Sequence, residues 1–255
     1  MKTRILKAGT LMIAAATMLT ISCKKGPNGG SYLSAPTTSS QMSFAVNADN
    51  GTGTSTSGTN SLATNSTGSN NNNGTGASTS VNWTAGIANI SGFKFEAKKR
   101  GVQIEITSKN MATVDLFAAT PPSIGATIDT GTYSEIEVRI EFSQTNGTNL
   151  PLVIKGTFTP ATGAAIPIEF DLNDNAEVRV ESQNVVVDGK TDISTIVTMH
   201  LNKLLSNVST TDLANATQTN GTIVISKTSN NNIYGRILNN LSSCGDSHGF
   251  DHHDR

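Results

Sequence analysis

The stretch from Glu135 to Phe142 constrains the fold of this chain more than any other. Apolar and charged residues alternate along it without a break. A β-strand places successive side chains on opposite faces, whereas a helix would scatter these apolar groups around its whole surface. The pattern therefore predicts a strand with one face in a hydrophobic core, formed by Ile136, Val138, Ile140 and Phe142, and one face in solvent, formed by Glu135, Glu137, Arg139 and Glu141.

The same alternation recurs along the chain and predicts an all-β fold. Turn residues separate the alternating segments; Lys99-Arg100-Gly101, for example, predicts a hairpin turn in which Gly101 takes a positive φ. About ten short strands joined by such turns favour an antiparallel β-sandwich of an immunoglobulin-like or transthyretin-like kind. Strands are predicted near residues 93–97, 102–106, 114–117, 124–128, 136–142, 152–158, 166–170, 178–180, 185–187, 193–199 and 223–225. Pro167 favours an edge position for the strand at 166–170, because proline has no N–H group to donate to a neighbouring strand.

Two or three short helices are predicted near the C-terminus, because residues 201–208, 209–216 and 233–241 have apolar side chains at helical spacing. Ser209 and Asp212 resemble a capping box at the start of the second of these helices. Residues 81–243 together are predicted to form one domain, which is long enough for a single hydrophobic core.

The N-terminus has the pattern of a lipoprotein signal peptide. Basic residues within the first seven positions precede an apolar run over residues 8–21. This run is too short for a permanent membrane-spanning helix and suits the apolar region of a signal peptide. It ends at Thr20-Ile21-Ser22-Cys23, which resembles a bacterial lipobox with Thr20 where leucine is commoner. We therefore expect residues 1–22 to be removed and Cys23 to anchor the chain in a membrane through attached lipid.

Lys24 and Lys25 follow the expected anchor. An aspartate here would resemble an inner-membrane retention signal, and an acidic run would resemble a surface-export signal; neither stands at these positions. By resemblance, we expect the chain to be anchored in the outer membrane and to face the periplasm rather than the cell surface. Its expected partners are the membrane and a protein or glycan that no motif identifies.

Residues 23–80 contain the lipidated cysteine and a low-complexity linker rich in Ser, Thr, Asn and Gly. Such a composition cannot bury enough apolar surface to offset chain entropy, which predicts flexibility. Apolar residues alternate only over 41–47, at Met42, Phe44 and Val46. Two interpretations stay open: this segment is a short strand of the body, or all of 24–80 is a tether.

Six segments of the body share a pattern with a known family: Val114–Phe117, Gly131–Tyr133 with Ile136, Val138 and Ile140, Lys155–Phe158, Trp83–Gly86, Leu201–Leu205 and Ile223–Ser226. They resemble an uncharacterised family of Bacteroidota-type lipoproteins, a domain of unknown function in which a β-sandwich follows a lipobox and a polar linker. The resemblance covers most of residues 81–243. It implies a fold and a location in the cell envelope, and it implies no chemistry.

Charge and motifs exclude several functions. The formal net charge of -1 argues against nucleic acid as a partner, because phosphate binding needs a basic excess. The sequence contains no Gly-x-Ser-x-Gly elbow, no His-Glu-x-x-His helix and no phosphate-binding glycine loop. His200 is the only histidine before residue 244 and is predicted to be structural. The sequence therefore predicts a protein that is not an enzyme.

A polar cluster lies at residues 171–175, where aspartate and asparagine alternate. Their oxygen atoms could bind Ca²⁺, but the glycine and the distal glutamate of an EF-hand are missing, so a polar turn is favoured. Asp115 stands between apolar residues. It could bond the backbone at a sheet corner or line a pocket, and both interpretations stay open.

The C-terminal residues 244–255 are the most unusual group, with three histidines, three aspartates and one cysteine. Short tracts of this kind can bind zinc, copper or nickel. We expect a disordered tail that binds a divalent metal weakly, and no other cofactor. The candidate ligands are Cys244, His248, Asp251, His252 and His253.

The sequence as a whole predicts a non-enzymatic, lipid-anchored cell-envelope protein with a binding or structural role. Two alternatives stay open. The first is a metal-binding lipoprotein that acts through the tail at 244–255. The second is a glycan-binding or fimbria-like accessory protein, although one Trp and three Tyr offer little for the aromatic platform that glycans stack on.

Overall fold

The computed structural model describes residues 39–50, 80–108, 112–247 and 249–254, without the side chains of Ser108, His253 and Asp254. The predictions for the signal peptide at 1–22, for Cys23 and for most of the linker lie outside the described residues. All of the described residues belong to one compact unit, Thr37–Arg255.

Strands hold 60% of the described residues and helices hold 11%, which confirms the predicted all-β class with short helices. The strands are β1 (Ser39–Asp49), β2 (Ser80–Ile90), β3 (Gly92–Lys99), β4 (Val102–Ser108), β5 (Ala112–Asp115), β6 (Ser123–Asp129), β7 (Gly131–Phe142), β8 (Leu152–Thr159), β9 (Ile166–Leu172), β10 (Ala176–Val187), β11 (Thr191–His200), β12 (Gln218–Thr219), β13 (Thr222–Ile225), β14 (Gly245–Ser247) and β15 (Asp251–Asp254). The helices are α1 (Leu201–Leu204), α2 (Thr210–Ala214) and α3 (Asn231–Leu241).

The strands form three sheets that are mostly antiparallel, as predicted. The first sheet has the order β14-β11-β1-β6, with β15 also pairing with β11. The second sheet has the order β10-β7-β3-β4, and the third has the order β12-β13-β9-β8-β2-β5. Two neighbouring pairs are parallel, namely β1 with β11 and β13 with β9.

Three backbone paths build both the second and the third sheet. β2 continues into β3 after Ser91, β9 continues into β10 after residues 173–175, and β7 leads into β8 through residues 143–151. The order β9-β8-β2 in the third sheet therefore repeats as β10-β7-β3 in the second. All three paths bend at one level, and the two sheets meet at that bend.

Side-chain amides hold the bend in place. Asn175 Oδ1 accepts a hydrogen bond from the backbone N–H of Gln144 at 2.9 Å, and Asn173 Oδ1 accepts one from the N–H of Thr145 at 3.0 Å. The polar cluster near residue 173 therefore serves as the polar turn that the sequence favours. The amide oxygens that could have bound Ca²⁺ bond to the backbone instead.

The first sheet packs face to face on the second. The ring of Phe44 on β1 lies 4.9 Å from that of Phe93 and 5.8 Å from that of Phe95, centroid to centroid, and both of these residues are on β3. Met42, Phe44 and Val46 are buried, so the alternation over 41–47 marks a strand of the body and not a piece of tether. The strand is longer than the apolar pattern because its two ends also pair with β6 and β11, and polar side chains such as Ser40 and Asp49 bond to β11 there.

Two details of the strands differ from the sequence-based predictions. Pro167 does not mark an edge strand, because β9 lies between β8 and β13; β13 pairs with β9 only from Ile168 onward and so leaves the proline free of a second partner. The segments 178–180 and 185–187 belong to one strand, β10, whose backbone takes φ 57° at Asn184 while its pairing with β7 keeps the same register on both sides of that residue.

The helices are shorter than predicted except for α3, and α2 begins with the predicted capping box between Ser209 and Asp212. The predicted hairpin turn after Lys99 is also present, with φ 50° at Arg100 and 77° at Gly101. Asp115 Oδ1 accepts a hydrogen bond from the backbone N–H of Phe117 at 3.0 Å, so its carboxylate bonds the backbone at the end of β5.

We predict that Val138→Asp lowers the free energy of unfolding by about 3 kcal/mol or more, because it places a charge in the core without a partner. Val138 is 3% exposed, on the face of β7 that packs inward. Thr132→Asp places the same charge at an exposed position of the same strand and should change stability by less than about 1 kcal/mol. Urea denaturation measures both, and equal midpoints would contradict the assignment of the buried face.

Candidate functional site

Both ends of the described chain lie at the same end of the sandwich. β1 begins there, and Ser40 Oγ donates a hydrogen bond to the carbonyl of Thr191 at 2.7 Å. Asp254 of β15 also pairs with Thr191. We call this the proximal end; it includes the turns that follow β3, β6 and β10, at residues 100–101, 130 and 188–190.

The C-terminal tail belongs to the first sheet. β14 pairs with β11 at residues 197–199, and β15 pairs with β11 at residues 191–194. The predicted disorder of the tail is therefore wrong for β14 and β15, and the body extends beyond the predicted boundary at residue 243. The physical reason is close packing: a Cβ atom on Gly245 would lie 2.6 Å from Val178 Cγ1, so the glycine lets the tail cross over β10.

Cys244 is not available as a metal ligand in this fold. Its side chain is 0% exposed, so an ion has no access to the sulfur, and burial raises the pKa of the thiol to about 12, which disfavours the thiolate that binds metals. The sequence did carry a signal for this burial. Cys244 follows Leu241 of α3 by three positions and so continues the apolar side of that helix, and cysteine is among the most often buried residue types.

The other candidate ligands do not converge among the described side chains. Asp251 and His252 are adjacent on β15, so they project to opposite faces of the strand. His252 Nδ1 lies 2.9 Å from the hydroxyl of Thr191, and both candidates are exposed. His248 and the side chain of His253 lie outside the described part of the chain.

His200 links three strands of the first sheet. Its Nδ1 lies 2.8 Å from Asp49 Oδ1 at the end of β1, and its Nε2 lies 3.7 Å from Asp246 Oδ2 on β14. The backbone N–H of His200 donates to the carbonyl of Cys244 at 2.9 Å. These contacts agree with the structural role that the sequence predicts for His200, although nothing in the sequence pairs it with Asp49, 151 positions away.

We predict that deleting residues 244–255 lowers the free energy of unfolding by about 3 kcal/mol or more, because the deletion removes a buried side chain and two strand pairings of the first sheet. Phe250 would also be lost from its edge-to-face contact with Phe44, whose centroid lies 6.4 Å away. A truncated chain that melts like the parent would contradict the structure.

A pair of point substitutions separates this effect from the length of the chain. Cys244→Asp buries a charge and should destabilise strongly, whereas Ser242→Asp is exposed and should cost less than about 1 kcal/mol.

The outer face of the second sheet carries charge in rows that cross its strands. Glu137 lies within this face and is only 3% exposed, because the guanidinium groups of Arg139 and Arg179 both contact its carboxylate. The strand registers place the acidic row Glu181, Glu137, Glu96 and Glu105 beside the basic row Arg179, Arg139 and Lys94. We call this surface the charged face.

One group of carboxylates in the charged face has the spacing of a metal site. Ligand atoms of Glu135, Glu137 and Glu181 lie within 4.8 Å of one another. Lys98 Nζ lies 2.7 Å from Glu135, and the two arginines contact Glu137. Protein cations thus occupy the positions where a metal would balance the charge, and we assign the group to the ion-pair network of the sheet.

Among the described residues, Asp171 on β9 has the carboxyl group whose pKa departs most from its ordinary value. Burial, assisted by the negative charge of Glu169 on the same strand, raises its pKa to about 6. Lys155 Nζ lies 3.2 Å from Glu169 and partly offsets this effect. A carboxyl group with a pKa near 6 can exchange protons near neutral pH, but a shifted pKa by itself does not make a catalytic site.

We predict that Asp171→Asn changes the pH dependence of stability. The carboxyl group titrates near 4 in the unfolded chain, so between about pH 4 and 6 the folded state holds a proton that the unfolded state releases. This contribution is complete below about pH 4 and is lost as the pH rises through the folded value of about 6. The variant should therefore gain stability relative to the parent as the pH rises from 4 to 7.

Urea titrations at each pH test this prediction. Glu169→Gln should weaken the same dependence, because it removes the charge that assists the shift. Equal slopes for Asp171→Asn and the parent between pH 4 and 6 would contradict the assigned cause.

A cleft of about 330 Å³ lies at the end of the third sheet, between the β8–β9 loop and α2. Along the bent strands, this end is the opposite of the proximal end, because β2 and β3 run in series between the two. The cleft is in the size range of small-ligand sites and has a mostly apolar lining with a few hydroxyl groups. Its lining residues are Phe158, Pro160, Thr162, Ile166, Thr210 and Ala214.

Within the described residues, none of the three helices has the length and apolar character needed to cross a membrane. Comparison of the chain with family models, with curated proteins and with solved structures finds no match. The resemblance to Bacteroidota-type lipoproteins therefore stays a prediction.

Proposed function

We propose that this chain is a non-enzymatic, lipid-anchored protein of the cell envelope whose β-sandwich has a binding or structural role. The observation that carries the proposal is the place of β1. This strand begins 16 positions after Cys23 and lies in the middle of the first sheet. A lipid on Cys23 would thus be joined to the core of the body by a segment no longer than about 60 Å.

This arrangement fixes the point at which the tether joins the body. The chain leads back to Cys23 from the proximal end, so the tether is attached there. The cleft lies at the other end of the bent strands, where a soluble partner or ligand could reach it. We place the anchor in the outer membrane with the body in the periplasm, on the basis of Lys24 and Lys25 after the lipobox-like motif.

The geometry favours this proposal over a metal-binding lipoprotein that acts through the tail. Cys244 is in the core, and β14 and β15 are held by β11. A tail that is already paired in a sheet cannot wrap freely around an ion without first giving up those pairs.

We predict that Cys23→Ala releases the protein from the membrane fraction, because the variant has no thiol to carry the acyl chains that give stable anchoring. Detergent phase separation measures the change: the parent should enter the detergent phase and the variant the aqueous phase. Cys244→Ala is the matched control and should partition like the parent, since it leaves the anchor unchanged. Equal partitioning of the parent and Cys23→Ala would remove the lipid anchor from the proposal.

Antibodies against the body test the side of the membrane. Staining that needs permeabilised cells would agree with a periplasmic body. Staining of intact cells would place the body on the surface.

A further inference from the structure

The second sheet ends in a strand whose outer edge has no partner among the described strands. β4 pairs with β3 and with no other described strand. Arg100 and Gly101 form a two-residue hairpin turn with positive φ at both positions, and Lys99 and Val102 are its closing pair. In such a hairpin, the backbone groups of Val102 and of every second residue after it face β3. The N–H and C=O groups of the intervening residues, Gln103, Glu105 and Thr107, therefore face outward.

This edge has few of the features that usually protect an exposed strand. Natural sheets block their edges with short strands, proline, bulges or charged side chains, above all lysine; Glu105 is the one charged residue of β4. β5 and β12, the edges of the third sheet, have four and two residues, and β6, an edge of the first sheet, contains Gly125 and Ala126. β4 has seven residues, Val-Gln-Ile-Glu-Ile-Thr-Ser, most of them favourable for strands and none of them proline, lysine or glycine.

An apolar stripe follows the same edge on the inner side of the sheet. Val102 is 64% exposed, more than the other exposed large apolar side chains of the described residues. Ile104 and Ile106 continue the stripe at every second position and are only partly buried against the core. Ile124 on β6 is also partly buried. Because β1 lies over β3, β6 lies on the same side of the sandwich as β4, and neither strand has a second partner among the described strands.

The opposite side of the edge carries one charge that selects among possible partners. The Glu105 side chain is 51% exposed, and Lys94 lies 3.4 Å from it. If two copies of the chain paired their β4 strands antiparallel about the strand centre, each Glu105 would face the other, which is destabilising. A strand with a basic residue opposite Glu105 would instead gain a favourable cross-strand pair.

We propose that the outer edge of β4 binds an extended segment of a partner protein, which adds a fifth strand to the second sheet. The segment has apolar side chains at alternate positions, which cover the stripe of Val102, Ile104 and Ile106. It carries a lysine or arginine on its other face, opposite Glu105. The outward backbone groups of β4 supply affinity, and the apolar stripe and Glu105 supply specificity.

Two fluorescein-labelled peptides test the proposal by fluorescence anisotropy with the folded body, residues 24–255. The first is Ile-Thr-Ile-Lys-Ile-Thr-Val, and the second has glutamate in place of the central lysine. A scrambled peptide of the first composition reports non-specific binding. The parent should bind the lysine peptide about 5- to 10-fold more tightly than the glutamate peptide.

Two substitutions at exposed positions of β4 locate the binding site. Glu105→Lys should reverse the preference, so that the glutamate peptide binds more tightly. Thr107→Pro removes an outward N–H group and should weaken binding of the lysine peptide, whereas Thr107→Ala keeps that group and should not. Melting curves confirm that each variant is folded. Glu105→Lys changes only a side chain, so its result holds even if proline at position 107 distorts the backbone of β4.

Binding of neither peptide above the level of the scrambled control would overturn the proposal. An unchanged lysine preference in Glu105→Lys would overturn it too, because the peptide would then lie elsewhere. Sedimentation of the parent provides a third outcome. A parent that self-associates, and a Thr107→Pro variant that does not, would assign the edge to a second copy of the chain and not to a basic partner.

Discussion

The pairing of β1 with β11 on one side and β6 on the other is the interaction on which the first sheet depends. Without β1, β11 and β6 would not belong to one sheet, and the core would lose the ring of Phe44 between the two layers. The parallel pairing joins parts of the chain 151 positions apart, so it carries a large cost in loop entropy that the burial of Met42, Phe44 and Val46 helps to offset. The same strand would carry the link to a lipid on Cys23.

Several polar side chains of the body stabilise the fold. Asn173 and Asn175 hold the bend between two sheets, His200 joins three strands, and Glu137 is enclosed by two arginines. The surfaces on which the proposals depend are formed by apolar side chains and backbone groups, namely the cleft beside α2 and the outer edge of β4.

Local patterns account for the elements that were predicted well. The alternation over 136–142 identifies β7 and its buried face because side-chain direction in a strand repeats every two residues, whatever the rest of the chain does. Gly101 and the pair Ser209 and Asp212 are similar cases, since a turn and a helix cap depend on residues a few positions apart. The expectation for Pro167 was wrong because the place of a strand within a sheet depends on which distant strand pairs with it.

The sequence by itself determined the all-β class, the register of inward and outward side chains, the main turns and the expectation of a lipid anchor, because each of these follows from short-range periodicity or a contiguous motif. Only the tertiary structure decided that β1 and the tail both pair with β11, that Cys244 is buried, and that β4 pairs with a single strand among those described. These features come from contacts between segments far apart in the chain, and such contacts are chosen by the packing of the whole core.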